Sequence, residues 1–113
     1  MQPHEHITVG TFVITTDNFL LLPPSAGDFI DVSPDPQLAR EIDQRFDGQF
    51  VSILGHQGER HRLPAERVPS LIARKIVLQK DIQLRAFEIF QSGQGESAVA
   101  NWLRAEAELL GVR

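Results

Sequence analysis

The hydrophobic period of this chain changes for good near its middle, and that change limits what it can fold into. Up to about residue 63 apolar and β-branched residues tend to alternate at a spacing of two, and from Leu71 onward they recur at helical spacing. A chain ordered this way builds a sheet first and helices last, an α+β arrangement.

The first run is Ile7, Val9, Thr11, Val13 and Thr15, interleaved with Thr8, Gly10, Phe12, Ile14 and Thr16. All but Gly10 favour strands. Asp17-Asn18 supplies a turn, Phe19-Leu20-Leu21-Leu22 returns, and Pro23-Pro24 stops the ladder because proline donates no hydrogen bond. Phe29-Ile30-Asp31-Val32 predicts a third short strand. Asp35 before Pro36 predicts a capped helix start, with Leu38, Ala39, Ile42 and Phe46 as its apolar face. Phe50 to Gly55 is a fourth strand; His56-Gln57-Gly58-Glu59 reads as a hairpin turn and Arg60-His61-Arg62-Leu63 as its partner. Pro64 to Pro69 is then a connection.

Beyond it Leu71, Ile72, Ile76, Leu78, Ile82, Ala86, Ile89 and Phe90 have helical spacing over two segments. Gly93-Gln94-Gly95 breaks the run, Ser97 caps a last helix, and Val99, Trp102, Leu103, Leu109 and Leu110 form its stripe. Trp102 and Phe90 are expected to pack together across the hairpin. The order predicts a small five-stranded β-barrel, OB-like or SH3-like, with one inserted helix over residues 1–69. A helical hairpin over 70–113 packs on it. A helix between the third and fourth strands is the OB order. A small open sheet on helices satisfies the same pattern.

Part of the last third resembles a known family. Ile82-Gln83-Leu84-Arg85-Ala86-Phe87-Glu88-Ile89-Phe90, then Gly93 and Gly95, then Asn101-Trp102-Leu103-Arg104-Ala105-Glu106-Ala107-Glu108-Leu109, looks like a short bacterial helical domain of unknown function. Its members carry an Arg-Ala-Tyr-Glu-Ile-Trp stretch, a Gly-containing loop and a His-Trp-Leu-x-Ala-Glu-x-Glu-Leu stretch. Here Phe87, Phe90 and Asn101 stand where Tyr, Trp and His are usual. The resemblance implies a helix–loop–helix in a bacterial protein and transfers no catalytic residue.

The chemistry available is narrow. The 113 residues contain no Cys, which excludes disulfides, thiolate metal sites and a cysteine nucleophile. No phosphate loop, dinucleotide fingerprint, Gly-x-Ser-x-Gly or His-Glu-x-x-His occurs. Asp17, Asp28, Asp31 and Asp35 fall at turns and strand ends, where aspartate serves local hydrogen bonds. His4, Glu5, His6, His56 and His61 show no recognised ligand spacing, so no metal and no cofactor is expected. No catalytic residue is expected either. The N-terminus lacks a basic and an apolar signal region and no apolar run reaches the ~18 residues of a membrane span, so a cytoplasmic protein is expected.

The net charge is −4, distributed as −6 over residues 1–50, +4 over 51–85 and −2 over 86–113. Acidity of the whole chain opposes nonspecific nucleic-acid binding. The leading reading is therefore a non-enzymatic binding or adaptor module acting through protein contacts, with another protein or as a homodimer. The alternative is a single-stranded nucleic-acid-binding OB-like protein. Arg60, Arg62 and Arg67 would then meet phosphates and Phe19 or Phe50 would stack on bases.

Overall fold

The computed structural model describes residues 5–25, 27–63, 66–93 and 96–112, with side chains omitted at 59–63 and 66–69. The strands are β1 (His6–Ile14), β2 (Phe19–Leu22), β3 (Ile30–Pro34), β4 (Phe50–Leu63) and β5 (Glu66–Leu78). A short helix α1 (Pro36–Glu41) and a 3-10 turn (Gln44–Phe46) lie between β3 and β4; α2 (Gln79–Gln91) and α3 (Ala98–Leu110) end the chain. The strands close into a barrel in the order β1-β2-β3-β5-β4, with every pair antiparallel except β3 and β5. That order, with a helix between β3 and β4, is the OB barrel and not the SH3-like or open-sheet alternative.

Barrel closure depends on β1 serving two ladders. It pairs with β4 from His6 to Thr11 and with β2 from Thr11 to Ile14. At the crossing, Gly10 presses on β2: a Cβ there would lie 2.6 Å from the Leu22 carbonyl oxygen. Gly55 does the same work on β4, where a Cβ would collide with the carbonyl oxygen of Ile72 beside a register shift at Leu54/Gly55. Only glycine permits backbones this close.

Phe12, Leu21, Val32, Val51, Ile53, Leu71 and Ile76 fill the barrel, and Leu38 and Phe46 plug its end. Asp35 caps α1 by accepting from the Leu38 N–H at 2.7 Å, with Pro36 in the first turn. The helix expected to reach Phe46 stops at Glu41, and Asp43 recaps the 3-10 turn. A second core lies outside the barrel wall, where Leu54 and Val77 meet Ile82, Ile89, Ala105 and Leu110 of the helices. Ser52 Oγ donates to Glu106 at 2.7 Å, and Gln79 Nε2 donates to Ser52 Oγ at 3.2 Å. These bonds pin α2 and α3 to β4.

Three expectations are corrected. Residues 70–78 do not begin the helical hairpin, so the division at 69/70 fails: they are the second half of β5, and the barrel runs to Leu78. Their apolar residues fit a helix on paper because this stretch is buried on both sides. Ile76 and Leu78 point into the barrel, and Val77 points at the helices. A strand covered on two faces loses its alternation. The hairpin turn is not at residues 56–59 either; β4 continues through them to Leu63. Finally, Phe90 is 64% exposed and stacks on Phe87, whereas Trp102 packs half-buried on the second core. Among the described residues no helix is long and apolar enough to cross a membrane.

Candidate nucleic-acid interface

Strands β4 and β5 outrun the barrel. β1 leaves β4 at Gly55 and β3 leaves β5 at Ser70. The ladder nevertheless continues through Glu59↔Pro69, Arg60↔Val68 and His61↔Arg67 to Leu63↔Glu66. From Gly58 to Leu63 the two strands therefore form a ribbon with no other strand beside them among the described residues, about 17 Å long at the usual rise. The molecule accordingly measures 55 × 30 × 29 Å. Arg60, Arg62 and Arg67 all have their backbones on this arm, and their side chains lie outside the described residues.

At the root of the arm the surface is notched. The notch holds about 180 Å³ and is lined by His6, Thr8, Ile30, Gln57, Ser70 and Leu71, with Gly58 at its edge. Its glycine allows the wall to close: a Cβ on Gly58 would meet Ile72 Cγ1 at 2.9 Å. Beneath it Ser70 Oγ donates to the buried Asp31 carboxylate at 3.2 Å and to the Asp31 carbonyl at 3.3 Å. This bond ties β3 to β5 where the barrel ends and the arm begins. Phe29, two residues before Asp31, is delivered to the same end and is 52% exposed. It is an accessible aromatic near the arm, one of four strand phenylalanines in the sequence but not one of the two singled out there for base stacking.

The two aromatics expected to stack on bases do not gather there. Phe19 lies against the barrel core, its ring 5.8 Å from that of Phe12. Phe50 is 41% exposed but starts β4 beside Thr11, ten residues and roughly 30 Å of strand from Arg60. The sequence brought them together only because the fourth strand was taken as half its true length. Pro64, one residue past the end of β4, was the stronger stop signal.

Two other arginines, Arg74 and Arg45, are committed elsewhere. Arg74 holds the buried Glu5 carboxylate through Nε at 2.8 Å and a second nitrogen at 3.2 Å. That bond raises the Arg74 pKa above its ordinary value despite some desolvation. Arg45 pairs with Asp43 at 2.9 Å and lies over the Phe46 ring. Asp35 is occupied as a cap, and Asp17 and Asp28 are exposed in loops. Among the described residues no three His, Asp or Glu side chains group as metal ligands; His4 lies outside the described residues, as does the His61 side chain.

No protein-family model matches the chain, and no curated protein matches it. Among solved structures, it is similar to the second single-stranded DNA-binding protein, SSBb, of Mycobacterium smegmatis. The identity is 15% and the TM-score 0.48, over 66% of this chain and 84% of that one. It is also similar to the mitochondrial single-stranded DNA-binding protein Rim1 of S. cerevisiae, at 11% identity and a TM-score of 0.48, over 69% of this chain and 96% of that one. Likeness at this level says nothing of a ligand.

Proposed function

We propose that this chain is a binding protein, not an enzyme, and that it takes single-stranded nucleic acid along the β4–β5 arm and the notch at its root. The observation that carries the reading is the free two-stranded arm, bearing Arg60, Arg62 and Arg67, on an OB-type barrel. The loop joining these two strands and the face of β2 and β3 are where OB barrels hold extended polymers. A ribbon open along its length presents cations to a phosphate backbone. The exposed Phe29 ring at its base offers a surface on which an unpaired base stacks. A duplex, whose bases are already stacked, gains nothing from Phe29.

Charge sets the strength. Residues 59–67 carry a formal excess of only +1 within a chain of −4, so binding is weak and falls as salt rises. Three phosphate contacts give a slope of log affinity against log salt of about −2 for a single strand. The test is fluorescence anisotropy with a labelled single-stranded oligonucleotide and its duplex across a salt series. The expected result is preference for the single strand. In the triple variant Arg60→Ala, Arg62→Ala, Arg67→Ala the slope flattens by about 2. Phe29→Ala weakens binding by ~1–3 kcal/mol at constant slope. No binding at low salt, or binding indifferent to the three arginines, overturns the reading.

A further inference from the structure

The outer face of α2 carries a symmetrical stripe. Gln83, Leu84, Phe87, Phe90 and Gln91 are all exposed, and at 100° per residue they share one side of the helix. Read outward from Phe87, the stripe is apolar three residues away on each side, at Leu84 and Phe90. It is glutamine four residues away on each side, at Gln83 and Gln91. Leu84, Phe87 and Phe90 are 63%, 57% and 64% exposed, and the two Phe rings stack at 6.5 Å. Beside them a groove of about 350 Å³ runs between α2 and α3, with Trp102 and Ala98 on its far wall.

A pattern that reads the same in both directions along a helix is complementary to itself when two copies meet antiparallel. That is the requirement of a two-fold contact, in which one patch faces its own copy. We propose that α2 is a homodimer seam: two copies cross antiparallel at Phe87. Leu84 of each lies against Phe90 of the other, and Gln83 lies against Gln91. The three apolar side chains expose on the order of 400 Å², about half of the ~800 Å² per partner of a standard interface. The Trp102 groove extends the contact on the same side. Charge agrees. Arg85 is already paired with Glu108 at 2.7 Å and lies 3.7 Å from Glu88, and Arg104 lies 3.5 Å from Glu108, so the hairpin brings no large unpaired field to the seam. The seam is short, so the dimer is reversible with a micromolar Kd rather than obligate.

Sedimentation velocity of the full chain from micromolar to millimolar concentration tests this. The expected mass rises from the 12.7 kDa monomer toward twice that value. Phe87→Glu with Phe90→Glu holds the chain monomeric throughout, with an unchanged urea midpoint because both side chains are exposed. The absence of Cys permits a second measurement. Gln83→Cys with Gln91→Cys forms a covalent dimer on oxidation. Gln83→Cys alone does not, since the two copies of residue 83 stand about 12 Å apart along the axis, too far for a disulfide. A monomer at every concentration, a dimer that survives the Phe87→Glu, Phe90→Glu pair, or equal cross-linking through Gln83→Cys alone overturns the seam. These readouts need no nucleic acid, so they stand or fall apart from the binding reading.

Discussion

Replacing Gly10 with alanine tests the barrel closure directly. The added Cβ lies 2.6 Å from the Leu22 carbonyl oxygen and 2.9 Å from its carbon, against an ordinary contact of 3.4 Å or more. Something must move by about 0.8 Å to restore a normal contact. The obstacle is backbone, and β2 is held on one side by β1 and on the other by β3, so the displacement strains hydrogen bonds in two ladders. Overpacking costs ~1–3 kcal/mol and each weakened hydrogen bond adds up to about 1 kcal/mol. The restricted unfolded chain returns ~0.4–1 kcal/mol. The net loss is about 2–3 kcal/mol, a large share of the 5–15 kcal/mol typical of such domains. It lowers Tm by roughly 10–20 °C. Gly27→Ala is the control, because nothing lies within 4 Å of the Cβ that it adds. The same chemical change there is neutral or stabilises by ~0.4–1 kcal/mol. Urea denaturation followed by far-ultraviolet circular dichroism gives both values. A Gly10→Ala midpoint equal to wild type would refute the claim that β1 and β2 touch through this glycine.

Phe12 is fully buried between Phe19 and Phe46, so Phe12→Ala should cost ~3–5 kcal/mol, read from the urea midpoint. Ser97 accepts from the Ala100 N–H at 3.1 Å as the cap of α3, so Ser97→Ala should cost about 1 kcal/mol with an unchanged m value. The Arg85 hydrogen bond holds the Glu108 carboxyl below its ordinary range, ahead of a smaller opposing desolvation. A depressed carboxylate stabilises the fold above its unfolded pKa, and the contribution disappears as pH falls through the folded one. Carboxyl NMR titration should therefore place Glu108 below the usual glutamate midpoint, and Arg85→Ala should raise it toward that midpoint, with Arg104 still holding it down in part.

Local chemistry was legible wherever it was complete within a few residues. The Asp17-Asn18 turn forms as read, with Thr15 and Asn18 bonded to each other. Asp35 and Ser97 cap the helices their positions announce. The errors arise where a residue's role is set by a distant strand. Gly58 looked like a turn residue, yet its lack of a side chain is needed for Ile72 to approach, fourteen positions on. Phe90 and Trp102 share a helical pattern with buried neighbours, but only Trp102 reaches the barrel-side core. Spacing alone cannot separate a stripe that meets the core from one that faces solvent. Of the candidate site, the basic arm was visible as a charge excess, while its length and the role of Phe29 required the register.

The strands β4 and β5 show why one pattern could not serve the whole chain. Near Val51–Leu54 and Lys75–Leu78 they separate two cores: Val51, Ile53, Ile76 and Leu78 face the barrel, and Leu54 and Val77 face the helices. Near Gly55–Gly58 and Ser70–Ala73 they close the barrel, where space is so tight that two glycines are needed. Beyond that, among the described residues, they pair with no other strand. Three environments on one pair of strands impose three patterns, first apolar on both faces, then interrupted by glycines on β4, then polar and basic. Burial sets the order of stability along the ribbon. The end beneath α2 and α3 carries apolar contacts on both faces and the Ser52–Glu106 bond, while the arm pairs with no further strand among the described residues, so opening should begin at the arm. The arm proposed for nucleic acid and the α2 face proposed for self-association therefore lie beyond opposite ends of these two strands.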